Sequence, residues 1–141
     1  MNREMMMSEP YHELAFYTLA HPDSQYFIHQ HIVDAQTAQT ADAHTKPIAI
    51  VYALVGLYLM LEKNYTGRQV QQAHLQLSKN KKHLPPISLP KNRGEITVRE
   101  VLKAPPGSER DAAIRAWCEG IWEAYSHVRS TIINYCDEHL G

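Results

Sequence analysis

Nine histidines stand against 14 lysines plus arginines in a chain of 141 residues. Histidine is the commonest metal ligand among side chains and titrates near neutral pH, so where these residues fall decides what chemistry they could do. His21, His44, His83, His127 and His139 fall at turns, ends or polar faces. His12, His29, His31 and His74 fall inside apolar helical patterning, and Asp34 follows His31 by one helical turn, on the same face. Three neutral imidazoles with a carboxylate suit zinc, nickel or iron, with Asp34 either a ligand or the acceptor of an imidazole N–H. Glu13 and Glu62 are further candidates. The plainer alternative is a set of structural histidines hydrogen-bonded to Tyr17, Tyr26, Tyr58 or Asp34. His29 and His31 diverge by about 200° around a helix, so they do not both face the core. His31 shares a stripe with Phe27, Asp34 and Ala38, but Ile28, Ile32 and Ala35 form an adjacent stripe, so the choice of face stays open by one position.

The elements that must position these residues are helices. Ser8-Glu9-Pro10 reads as a helix start, with residues 1–8 as a flexible N-terminus and a first helix over 10–20. His21-Pro22-Asp23 breaks it, and Asp23 or Ser24 caps a second helix over 25–41. Pro47 opens a third, 47–63, apolar nearly all round and therefore central. A fourth spans 67–80, with Val70, Ala73 and Leu77 on one side. Residues 81–95 hold three prolines, a glycine, and Lys81, Lys82, Lys91 and Arg93, an irregular basic loop long enough to be functional or loosely ordered. Thr97 caps a short helix ending near Ala104, and Ser108 caps the last and longest, reaching His139. Ile114, Trp117, Ile121, Tyr125, Val128, Ile132 and Tyr135 recur there every three or four residues, a seam that should pack on the third helix. The reading is all-α, a four-helix-bundle-like core with a short helix and a long C-terminal helix.

Short connections make neighbouring helices antiparallel, so facing positions follow by reflecting residue numbers about each turn. Reflection sets His12 opposite His31, Leu14 opposite His29, Leu59 beside His31, Gly56 beside Asp34, and His74 less than a turn away. His12, His31, Asp34 and His74 then share one layer. Gly56 inside a buried helix costs about 1 kcal/mol relative to alanine, which points to a close approach in that layer.

Composition narrows the remaining classes. The apolar fraction is 44%, charged residues make up 21%, and the formal net charge is -1, which excludes a disordered tail and a strongly polyanion-seeking protein. Length suits one domain, 1–141. Cys118 and Cys136 on one helix would lie roughly 27 Å apart, too far for a disulfide, so two free thiols in a cytoplasmic protein are expected. The apolar run over 48–61 is shorter than the roughly twenty residues a membrane span needs. No phosphate-cradling glycine loop, serine-histidine-acid set or Cys-x-x-Cys is present, so no nucleotide cofactor is expected. Four cations in the 81–95 loop fall short of a nucleic-acid signature.

Tyr11-His12-Glu13-Leu14 and Phe27-Ile28-His29-Gln30-His31-Ile32-Val33-Asp34-Ala35 carry a resemblance. It continues through Val55-Gly56-Leu57-Tyr58, Gly67-Arg68-Gln69-Val70-Gln71, Ala73-His74, Arg93-Gly94-Glu95 and Trp117-Cys118. These segments resemble an uncharacterised bacterial domain-of-unknown-function family of small single-domain proteins, which implies no particular chemistry. At the level of fold, metal-binding helical bundles of the DinB-like kind are similar, but this chain lacks their histidine pair four apart on a late helix. The functional expectation is a metal-binding bundle with no named catalytic residue, a metal-dependent hydrolase or transferase. The alternative is a non-catalytic binding or assembly module; a small-molecule ligand and a homodimer fit either.

Overall fold

The computed structural model describes residues 3–20, 26–79 and 83–140, with the side chains of 3–8 left aside. Helices run in the order α1 (Arg3–Leu19), α2 (His29–Thr40), α3 (Pro47–Lys63), α4 (Gly67–Ser78), α5 (Val98–Lys103), α6 (Ser108–Ala124), a 3₁₀ turn (Ser126–Val128) and α7 (Arg129–Leu140). No strand occurs among the described residues. The fold is all-helical, as the periodicity predicts.

α3 is the centre. Its residues from Ile50 to Met60 are buried on every side except at Tyr52, and α2, α4, α6 and α7 all pack on it. Pro47 opens α3 without loss, because the first-turn N–H it lacks has no intrahelical partner anyway. Asn64, in left-handed conformation, closes it. Capping boxes at Thr66 with Gln69 and at Thr97 with Glu100 start α4 and α5, each satisfying two otherwise orphaned N–H groups. The buried apolar side chains form one connected cluster from Leu14 to Cys136.

Several boundaries differ from the sequence reading. α1 begins at Arg3, so Pro10 lies inside it rather than opening it. α2 begins at His29, and Asp23 and Ser24, expected to cap it, lie outside the described residues, as do His21, Lys81 and Lys82. Gly107, at φ 104°, precedes α6, and Ser108 is its first residue rather than its cap. The long C-terminal helix is present, tightened once at 126–128. That tightening carries His127 Nε2 to the Ser88 carbonyl at 2.8 Å, while the Tyr125 hydroxyl donates to the Ala38 carbonyl at 2.7 Å.

The described part of the basic loop is irregular, but its arginine is not directed at solvent. Arg93 Nη1 donates to the Gln39 carbonyl at 3.2 Å and to that of Ala41, and Nε donates to Pro90 at 2.9 Å. A cation at the open carbonyls of a helix end is favoured by the helix dipole. Gln39 reinforces the tie, donating to Ile96 O at 2.7 Å and accepting from Trp117 Nε1 at 2.9 Å. Arg93 therefore closes the C-terminal end of α2 and fixes its register.

Candidate functional site

α2 packs on α3 and α6 and buries an apolar face of Ile32, Ala35 and Ala38. In the middle of this apolar face stand His31 and Asp34, 0% and 3% exposed. Such groups are normally hydrogen-bonded, since a buried polar atom without a partner costs roughly 1–3 kcal/mol. Here both ring nitrogens of His31 and Oδ2 of Asp34 have no hydrogen-bond partner. Only Asp34 Oδ1 is engaged, accepting from Gln30 Nε2 at 3.1 Å. The exposure pattern resolves the one-position ambiguity of α2 in favour of His31.

The surroundings are contributed by four other segments. Gly56 on α3 faces Asp34: a Cβ there would fall 2.6 Å from Asp34 Cγ, nearer still to Oδ2, and 3.2 Å from Val70 Cγ1. The close approach anticipated at Gly56 is real, and the missing side chain is what gives the carboxyl its space. Tyr26 stands edge-on to the His31 ring with centroids 5.6 Å apart. Cys118, buried on α6, directs its thiol to the His31 carbonyl at 3.9 Å. Both cysteines are free and buried, as expected; burial drives the Cys118 thiol upward, and that of Cys136 to about 12.

Burial dominates the electrostatics. It pushes His31 down to about 4, with the Arg115 charge adding to the effect. It holds the Asp34 carboxyl well above its ordinary value, partly offset by the Gln30 donor. The Tyr11 hydroxyl, half-buried on α1, is raised first by burial and then by Asp34. The fold thus favours the uncharged form of both groups, the imidazole and the carboxyl three residues apart on α2.

The other predicted members do not join this pair. His12 is exposed, because the inward stripe of α1 runs through Tyr11, Leu14 and Thr18, and residue 12 is turned about 100° from residue 11. His29 is half-buried and bound: Thr18 Oγ1 donates to the Ala15 carbonyl, so His29 Nδ1 donates to Thr18 Oγ1 at 2.9 Å. It is a tie between α1 and α2, and burial lowers its basicity. His74 lies stacked on Tyr52, centroids 5.1 Å apart, and its Nε2 donates to the Tyr52 carbonyl at 2.8 Å. Burial lowers it too, against that hydrogen bond. Glu62 accepts from Trp122 and Arg129 instead of facing the layer, and Glu13 is exposed. Among the described residues, no three histidine, cysteine or acidic side chains gather as a metal site. The four-residue layer is therefore corrected to a pair, His31 and Asp34.

Gln30 and Cys118 were missed as members of the site, while Tyr26 was named among the possible partners of structural histidines and stands against His31. Gln30 was findable, because it precedes Asp34 by four residues and such pairs meet on a helix. Cys118 carried no local signal, since its place depends on how α6 crosses α2.

No helix among the described residues is long and apolar enough to cross a membrane. No curated protein and no solved structure gives a significant match to the chain. A family model does match, over residues 8–126, and those residues include every member of the buried pair's surroundings described above. The chain belongs to that family, a family of unknown function designated DUF5946.

Proposed function

We propose that the protein binds a divalent transition-metal ion, zinc, nickel or iron, at His31 and Asp34. The carrying observation is the set of three buried, unpartnered polar atoms on His31 and Asp34, about one helical turn apart on α2, with the carboxyl seated in the space that Gly56 leaves. A neutral imidazole presents a lone pair as it stands, and a cation that displaces the Asp34 proton to solvent takes the carboxylate as its second ligand, so one guest satisfies both groups. Two protein ligands leave open positions, where water or a second ligand completes the coordination. A metal-activated water or thiol at such a position performs hydrolysis or group transfer, the reaction classes included in this reading.

The test uses chelator-stripped protein titrated with zinc, nickel or iron(II) in a calorimeter. About one equivalent should bind, as expected for a single site. Binding should be lost in His31→Leu and Asp34→Ala and retained in His12→Ala and His74→Ala. Failure of all three ions to bind, or binding indifferent to His31 and Asp34, refutes the reading.

An assembly role without chemistry has one observation of its own. Phe16 and Leu19, a helical turn apart on α1, are 76% and 60% exposed. Light scattering over a range of concentrations tests whether this face supports a homodimer; a monomer throughout removes that reading.

A further inference from the structure

The cover over His31 is a short strap, and the way it is held is unusual. Tyr26 and Phe27 lead into α2, and the Tyr26 ring lies against the imidazole. Phe27 has φ 51°, a left-handed conformation that is rare and strained for a bulky side chain. Something outside the strap must hold it there, and the start of α4 does so. The Gly67 N–H, unpaired within its own helix, donates to the Tyr26 carbonyl at 2.6 Å. The Arg68 guanidinium sits 4.0 Å from the centroid of the Phe27 ring. Gly67 is required for this fit, since a Cβ there would lie 2.7 Å from the Phe27 carbonyl carbon.

We infer that Tyr26–Phe27 is a gate to the buried His31–Asp34 centre, latched by Gly67 and Arg68. His31 is fully buried, so any guest reaching it requires a local opening, and the strap is the strained, externally held segment that touches the ring. Release of the latch relaxes Phe27 and swings the Tyr26 edge off the imidazole. The rest of the fold stays in place, because Ile28 and Ile32 remain packed in the core. The gate regulates the site proposed above and rests on that reading for its purpose, but its motion is measurable without any ion.

The measurement is the rate at which diethyl pyrocarbonate modifies His31 in metal-free protein at neutral pH, read by peptide mass spectrometry. Arg68→Gln removes the cation over the ring and should speed His31 modification about 2- to 5-fold, the range of an exposed cation–π contact. Gly67→Ala, which forces the strap away while retaining a good helix former, should exceed Arg68→Gln. His74, half-buried and bound to the Tyr52 carbonyl, serves as the internal control. Unchanged His31 rates in both variants overturn the gate, as does a parallel rise at His74, which would mean general loosening. Either result leaves the calorimetric test of metal binding intact. Conversely, a faster His31 in protein that binds no ion keeps the gate and removes the metal.

Discussion

Substituting Gly56 by alanine isolates the one contact on which the geometry of the centre depends. Inside an exposed helix the change would stabilise by about 1 kcal/mol, through reduced backbone entropy of the unfolded chain. At this position the new methyl would sit 2.6 Å from Asp34 Cγ and closer to Oδ2, with Val70 Cγ1 at 3.2 Å on another side. Asp34 is 3% exposed and its other oxygen is held by Gln30, so it has little room to retreat. Overpacking of this kind costs about 1–3 kcal/mol, and the larger end applies because the atom displaced is a polar one already lacking a partner. The net expectation for Gly56→Ala is a loss of about 2 kcal/mol, set by that overpacking less the helix gain. In an Asp34→Ala background the obstruction is gone, and the same change should be neutral or stabilising by up to about 1 kcal/mol. The double-mutant cycle, measured by urea denaturation followed by far-UV circular dichroism, should therefore show a coupling of about 2–3 kcal/mol. Equal costs of Gly56→Ala in both backgrounds, or a gain in the native background, would refute the placement of Asp34 against α3.

Two further expectations concern pH. Burial lowers His31 from 6.5 to about 4, so the unfolded chain takes up a proton below pH 6.5 that the folded one refuses until about 4. Stability relative to a His31→Leu variant should be intact above pH 6.5 and fall by about 3 kcal/mol in all by pH 4, in chelated protein; a pH-independent difference would show that His31 is not kept neutral by the fold. Glu62 is likewise lowered: the Arg129 hydrogen bonds first, then Trp122, hold it below 4.5 against the effect of burial. Its contribution is present above pH 4.5 and disappears as pH falls through the lower folded value, and because Arg129 is 51% exposed the total is about 1 kcal/mol. Glu62→Gln should cost that amount at pH 7 and nothing in strong acid, and a constant cost across the range would mean that packing, not charge, is lost.

What could be read from the residues alone divides along physical lines. Periodicity locates helices because the core selects apolar residues every three or four positions, and α3, α4 and α5 follow it closely. Reflection about the turns brings Gly56 to Asp34, because α2 and α3 are antiparallel neighbours in extensive contact. The same arithmetic fails for His12 and His74, for it gives height along the bundle and not rotation about each helix axis. Rotation is set by the whole apolar stripe, so Tyr11, Leu14 and Thr18 turn His12 outward, while Val70, Ala73 and Leu77 leave His74 at the edge. Arg93 escaped for another reason: a cation in a proline-rich loop looks solvated until the carbonyls it caps, 52–55 positions away in the chain, are seen beside it.

The buried pair is not required to build the helix contact in which it lies. Ile32, Ala35 and Ala38 already supply a continuous apolar face for α2 against its neighbours, and Trp117 and Tyr125 anchor its far end through Gln39 and the Ala38 carbonyl. Apolar residues at 31 and 34 would extend that face and remove three unpartnered atoms. The histidine and aspartate instead leave each of those atoms with a desolvation cost of roughly 1–3 kcal/mol, and Gly56 adds the helix penalty of about 1 kcal/mol that accommodates the carboxyl. These costs fall on one spot, between elements that are otherwise well packed. A local stability deficit inside a consistent fold is characteristic of a functional site, where stability is given up for binding or chemistry. His31→Leu combined with Asp34→Ala and Gly56→Ala should therefore yield a chain that folds at least as stably as the native one at pH 7 and does not bind the ion proposed above. A triple variant markedly less stable than the native chain would instead make the pair part of the fold's own support.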